Sequence, residues 1–218
     1  MFKKFIEFWK TSDLLSVAYG DTEKMLRIAR DMFEYSMRVM IEKEKEKEDI
    51  YKKDRELNEL QVGVRRKVLE HLALNPAQDI TPALTLITIV KDIERIGDYS
   101  KNVIELAHRY PDPLKGGYIE EIKAMERKVQ ENFQKAIKSF IDGDRDKGRE
   151  VMESHAVIAR ECEEMIDKIM EDETLSAKLA VIYVLLIRYL KRVSAHVKNV
   201  ASSVVNPFPR VDYKPEEE

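Results

Sequence analysis

A stretch near the middle of this chain returns in weakened form near its end, so the chain reads as a duplicated helical unit. Residues 94–103 read ERIGDYSKNV and residues 191–200 read KRVSAHVKNV, a separation of 191 − 94 = 97 positions. In that register Arg95/Arg192, Lys101/Lys198 and Asn102/Asn199 are identical, while Ile93/Leu190, Ile96/Val193 and Val103/Val200 keep their apolar character. The first copy sets Glu94 and Asp98 four residues apart, so both carboxylates leave one helical face, with Glu105 farther along roughly that face. Like charges stacked this way cost an isolated helix roughly 0.2–0.5 kcal/mol. A cation, a facing Arg or Lys, or solvent has to offset that cost. The second copy carries Lys191 and Ala195 at the two acidic positions.

The rest of the chain reads as helix, with no competing strand pattern. Met25, Ile28, Ala29, Met32, Phe33, Ser36 and Met40 form one apolar stripe, on a helix that Thr11-Ser12-Asp13 caps and Gly20-Asp21 breaks or restarts. Residues 42–49 hold no apolar side chain and read as a solvated helix end and turn. A third helix uses Leu57, Leu60, Val64, Val68, Leu69 and Leu72, and Asn75-Pro76 ends it, because proline disfavours helix at the residue before it. Thr81-Pro82 restarts the chain as a cap followed by proline at the first helical position. Two Pro and two Gly within 110–117 mark the strongest boundary. Three more helices follow, divided at Asp142-Gly143 and at Thr174. The expected fold class is all-α: two tandem three-helix-bundle repeats, 21–109 and 118–205, joined by the linker 110–117. A short amphipathic helix within 1–20 precedes them, and a disordered, proline-rich tail, 206–218, follows.

Charge and cysteine usage narrow the function. Charged residues make up 36% of the chain against a usual level of about a quarter, yet the net charge is only −3. That balance argues against nucleic acid as a partner. Cys162 is the single cysteine, which excludes an internal disulfide and suits a reducing cytoplasm. The longest apolar run, 179–187, falls short of the roughly 20 residues that a spanning helix needs. Residues 1–10 place Phe2, Phe5, Ile6 and Trp9 at helical spacing among lysines, without the features of a secretory signal. They read as a helix that packs on the bundle, joins two copies, or makes a peripheral contact with a membrane surface. No Gly-rich phosphate loop, Ser–His–Asp set or cysteine cluster supports catalysis.

The segment DIERIGDYSKNVIELA, residues 92–107, resembles the signature helix of the PhoU-type phosphate-uptake regulators. That helix reads close to D-L-E-R-I-G-D-H-A-x-N-I-A-E. Asp92, Glu94, Arg95, Ile96, Gly97, Asp98, Asn102 and Glu105 match it as they stand, and Tyr99 replaces the usual His. On the preceding helix the family pattern D-x-x-x-D-x-x-E falls on Asp54, Asn58 and Gln61, and residues 72–80 look like the family's connector. The resemblance implies a cytoplasmic, non-enzymatic helical protein that dimerises and regulates phosphate transport. Its implied partners are a phosphate transporter subunit and, in many bacteria, a sensor histidine kinase.

Some members of the family also bind iron, zinc or similar metal clusters through paired acidic motifs. The resemblance places one divalent or trivalent ion in the first repeat, on Glu94, Asp98, Asp54 and Asn58. Asn58 and Gln61 offer carbonyl oxygens without charge, which weakens such a site without abolishing it. The second repeat offers Lys191 and Ala195 and is expected to hold none. An ion-pair network of Glu94 and Asp98 with Arg65, Arg66, Arg95 or Lys101 is the alternative. Two other functions fit the helical pattern less well. One is an accessory module of a different transporter or channel. The other is a ferritin-like di-metal enzyme, which needs two Glu-x-x-His pairs where this chain has one, Glu105 to His108.

Overall fold

The computed structural model describes residues 13–214. Every regular element among them is helical, in the order α1 (Asp13–Met37), α2 (Ile50–Leu74), α3 (Ile80–Arg109), α4 (Tyr118–Asp142), α5 (Arg145–Glu171) and α6 (Ala177–Val205). A π-helical turn, Arg38–Glu42, extends α1, and Lys43 closes it in the left-handed region at φ 55°. The charged run that follows forms an exposed connector without helix.

Local chemistry sets the other ends. Side chains of Asp49, Asp144 and Ser176 accept backbone N–H bonds from Lys52, Lys147 and Leu179, capping α2, α5 and α6. Gly143 ends α4 at φ 64°, a conformation that glycine adopts without strain. Two expected caps shift slightly. Helix α3 begins at Ile80 behind Asp79, one position ahead of Thr81, and Ser176 takes the capping role expected of Thr174. Thr174 instead bonds Asp172 through its backbone N–H, at 2.9 Å.

Helices α1, α2 and α3 pack on one another, as do α4, α5 and α6. The two units meet mainly along α3 and α6, with a smaller seam between α1 and α4. Their buried apolar side chains form one continuous core, which includes Met25, Met32, Met37 and Met40. Cys162 is buried in that core, with its Sγ 3.1 Å from Met125 Sδ, and burial pushes its thiol up to about 12. It is an inert filler of its helix.

Contacts between α3 and α6 carry the duplication into space. Tyr99 and His196 hold equivalent positions in the two repeats, and their rings stack at 5.8 Å. Tyr99 also meets Tyr189 at 5.9 Å, while His196 donates from Nδ1 to Asp92 at 2.7 Å. Tyr189 lies 189 − 92 = 97 positions after Asp92, so those two contacts are mates under the exchange of repeats. The pairing runs backwards along one helix as it runs forwards along the other. The motif helices therefore cross antiparallel about a pseudo-two-fold axis beside Tyr99 and His196.

Two expectations about the ends need correction. Helix α1 runs unbroken through Gly20 and Asp21, so the boundary at 20/21 falls inside a helix. The Thr22 hydroxyl bonds the Ala18 carbonyl at 2.8 Å across that point, and no Cβ contact restricts Gly20, so nothing there forces a break. The tail is ordered through Lys214. The Asn206 side-chain amide donates to the carbonyls of Arg210, Tyr213 and Lys214, the Asp212 N–H bonds Ser202 Oγ at 2.9 Å, and Phe208–Arg210 forms a 3-10 turn. The expected helix at residues 1–10 and the last four residues, 215–218, lie outside the described residues.

Candidate functional site

The motif face of the first repeat is built by α2 and α3, which approach closely at Gly97. A Cβ on Gly97 would stand 2.6 Å from Leu57 Cδ2, so a hydrogen there brings the two backbones together and sets Asp54 opposite the acidic motif. Lys101 occupies the centre of the cluster. Its ammonium donates to Asp54 Oδ2 at 2.8 Å and to Asp98 Oδ1 at 3.0 Å. Asn58 turns its amide N–H toward Asp54 Oδ2 at 3.2 Å, and Arg95 donates to Asp98 Oδ2 at 3.1 Å. Glu94 lies 3.9 Å from Arg95. Outside this group the surface dips into an open depression of about 310 Å³, lined by Tyr51, Arg95, Asp98, Lys101 and Glu105 among others.

Three carboxylates against two cations leave the cluster short of positive charge. Burial and the neighbouring Asp98 raise the Glu94 carboxyl above the usual range. Burial pulls the Lys101 ammonium down, but its bonds to Asp54 and Asp98 outweigh that and the net movement is upward. Asp54 is buried, and its Oδ1 has no hydrogen-bond partner.

Asp54, Asn58, Glu94 and Asp98 thus converge as the motifs imply, but not in the manner of a metal centre. A divalent ion needs several oxygens aimed at one shared point. Here that point holds the Lys101 ammonium, and Asn58 presents its N–H rather than its carbonyl. No group of three or more His, Cys, Asp or Glu among the described residues is placed to hold a metal ion. The donor set as arranged does not fit a metal. Gln61 is spent elsewhere, donating to the Val90 carbonyl at 3.2 Å, and Arg65 and Arg66 point to solvent.

The second repeat has a counterpart face. Helix α5 buries Val151, Ile158, Cys162, Met165 and Ile169 where α2 buries Ile50, Leu57, Gln61, Val64 and Val68, a separation of 151 − 50 = 101 positions. That register puts His155 in the place of Asp54. It accordingly meets α6 at the residue equivalent to Gly97, with Nδ1 2.9 Å from Ser194 Oγ. Lys191, in the place of Glu94, pairs with Glu163, which also takes Arg188 at 3.4 Å.

Sequence reasoning missed the link between the repeats. Asp92 is buried and accepts from both His196 and Asn199, the latter at 2.8 Å. The signal was present, because His196 aligns with Tyr99 in the 97-residue register. The histidine that the family motif leads one to expect at 99 occurs instead at 196.

Comparison with known proteins places these features. The PhoU domain model matches twice, over residues 22–107 and 122–204. A phosphate-specific transport system accessory protein PhoU homolog from Clostridium acetobutylicum is 24% identical over 165 residues, which cover 72% of this chain and 75% of that protein. Homolog 1 from Thermotoga maritima is 28% identical over 163 residues, covering 72% of this chain and 70% of its own length. The crystal structure of PhoU from Pseudomonas aeruginosa shares the fold with a TM-score of 0.65 at 20% identity, covering 94% of this chain and 97% of that one. The PhoU of Streptococcus pneumoniae, described as a phosphate transport system regulatory protein, gives a TM-score of 0.68 at 16% identity, covering 94% and 95%. With both helical repeats matched by one domain model, this chain belongs to the PhoU family.

Proposed function

We propose that this chain is a non-enzymatic accessory and regulatory protein of a phosphate transport system. It acts in the cytoplasm by contact with a transporter subunit and with a sensor histidine kinase, and it works as a homodimer. One observation carries the reading. Both halves of the chain match a single family whose similar members are named as phosphate-specific transport accessory proteins. The charges on the motif face support a role in contact rather than in chemistry. They pair with one another, and at the rim of the open depression the Tyr51 hydroxyl donates to Glu105 at 3.3 Å. Among the described residues no helix is long and apolar enough to cross a membrane. Residues 1–10 supply part of the contact surface.

The acidic cluster, on this reading, is compensated in part by its own cations, Lys101 and Arg95. Lys101 takes the place that a cation would hold between Asp54 and Asp98, fixing the register of α2 on α3, and a metal enters only when that lysine is gone.

The test is chemical cross-linking of the purified chain to membranes from its own source, followed by peptide identification. Cross-links to a phosphate transporter subunit support the proposal. Cross-links confined to subunits of an unrelated transporter or channel move the chain to a different client and overturn it.

A further inference from the structure

Gly63 stands in the middle of α2, where glycine weakens a helix relative to alanine. Nothing in the chain's own packing asks for it. A Cβ there would meet only the Lys67 Nζ, at 3.5 Å, the end of a flexible side chain, whereas at Gly97 it would strike Leu57. The glycine leaves a dent in the outer face of α2, an open depression of about 400 Å³ lined by Asn58, Glu59, Val62, Gly63 and Arg66. Val62 is 53% exposed beside it, and Leu69, two turns further on, is 69% exposed. Helix α2 packs mainly on α1 and α3, so this face looks outward.

From this geometry we infer that the outer face of α2 packs antiparallel on α2 of a second copy of this chain, across a two-fold axis beside Val62 and Gly63. This placement rests on the proposed homodimer and locates its interface. Charge chooses the occupant. Arg55, Glu59, Arg66 and Glu70 recur at helical spacing along the exposed side of α2. An axis between positions 62 and 63 sets Glu59 opposite Arg66 of the other copy and Arg55 opposite its Glu70, and symmetry makes each pair twice. Val62 of each copy then fills the dent at Gly63 of the other, where the missing Cβ lets the two backbones approach. The charges are free to do so. Glu59, Arg66 and Glu70 have no ion-pair partner among the described residues, and Arg55 reaches Asp49 only at 3.8 Å.

The second repeat lacks such a face. In the 101-residue register Glu163, Glu164 and Asp167 stand where α2 has Val62, Gly63 and Arg66. Those carboxylates would repel one another across a two-fold axis, so α5 does not pair with itself. One helix face is small beside the interfaces of stable dimers, so the association is weak, and its charged pairs make it sensitive to salt.

Sedimentation velocity of the full chain over a concentration series, at low and high salt, tests the inference. A reversible dimer is expected, weaker in high salt. Glu59→Arg alone, or Arg66→Glu alone, sets like charges across the axis twice and should weaken it at least about tenfold. An equimolar mixture of these two variants restores both pairs and should dimerise as the native chain does, which also shows that neither is misfolded. Gly63→Leu fills the dent and should abolish the dimer while leaving the circular dichroism of the helices unchanged. Dimerisation that none of these changes weakens, or that the mixture fails to recover, overturns this interface and leaves the homodimer standing. A native chain that stays monomeric at every concentration overturns the homodimer, and the interface with it. Assemblies larger than two copies also overturn the interface, in favour of a contact between α2 and a different face.

Discussion

Lys101 is the side chain on which the charge balance of the first repeat turns, and Lys101→Met removes that charge while keeping an apolar stem of similar length. Its ammonium bonds Asp54 and Asp98, whose side chains are 11% and 30% exposed. Leaving one partner of a fully buried pair unpaired costs about 3–5 kcal/mol, whereas a surface pair contributes about 0–1 kcal/mol. Asp54 is close to the first case and Asp98 to the second, which sets the expected loss near 2 kcal/mol. In a domain of this size that lowers the midpoint of thermal unfolding by about 4–8 °C. Asp54→Asn in the same chain should recover part of the loss by removing the buried charge.

Opposite behaviour toward divalent cations is the sharper consequence. With Lys101 gone, Asp54, Glu94 and Asp98 face one another with only Arg95 to offset their charge. Added Mn²⁺ or Zn²⁺ should then stabilise the variant by linkage while leaving the native chain unmoved. Thermal and urea unfolding with and without the ions, together with elemental analysis, read both effects. A Lys101→Met chain within about 0.5 kcal/mol of the native one would refute the reasoning, given the 3–5 kcal/mol expected of a buried pair. So would a native chain that holds a stoichiometric metal.

Three other outcomes follow from the same geometry. The Glu94 carboxyl is raised by burial and by Asp98, so the folded state holds its proton more tightly than the unfolded chain does. Its stabilising contribution is present at low pH and lost as pH rises through the raised value. Glu94→Gln should therefore stabilise the protein by about 0.5 kcal/mol at pH 7, with the gain gone below about pH 4, as urea unfolding across pH would read. Gly97→Val forces a branched side chain into a space where even a Cβ lies 2.6 Å from Leu57 Cδ2, and should cost about 3 kcal/mol or prevent folding, measured by chemical denaturation. A chain that starts at Thr11 should keep its helicity by circular dichroism but lose dimerisation or association with membranes; unfolding would assign the N-terminal rings to the protein's own core.

Much of the fold was legible because it rests on local signals. The breaks at Asn75-Pro76, 110–117 and Asp142-Gly143 are chemical punctuation, and the apolar stripes read for α1 and α2 marked their buried faces, except that Leu69 turns outward at 69% exposure. The 97-residue echo gave the duplication, and the structure adds what an echo alone cannot, that the two copies cross antiparallel with Tyr99 on His196. Gly20-Asp21 misled because a glycine weakens a helix without breaking it when packing on both sides holds the turn. The tail misled because its order comes from one side chain, Asn206, gathering three carbonyls, a contact that composition does not register. In the candidate site the acidic residues were readable from their spacing. The place of Lys101 between Asp54 and Asp98 depends on how α2 approaches α3 at Gly97. His155 was visible only as a lone histidine, since its partners sit on α6 and its register follows α5 rather than the motif helix.

Uptake of labelled phosphate is the most direct test of the assignment to phosphate transport. It should be followed in cells that lack this chain, and again after the chain is restored. Loss of the chain should change phosphate uptake when external phosphate is abundant, restoration should reverse the change, and uptake of an unrelated solute should stay constant. Phosphate uptake that is the same in both cells, with another solute's uptake altered instead, would contradict it.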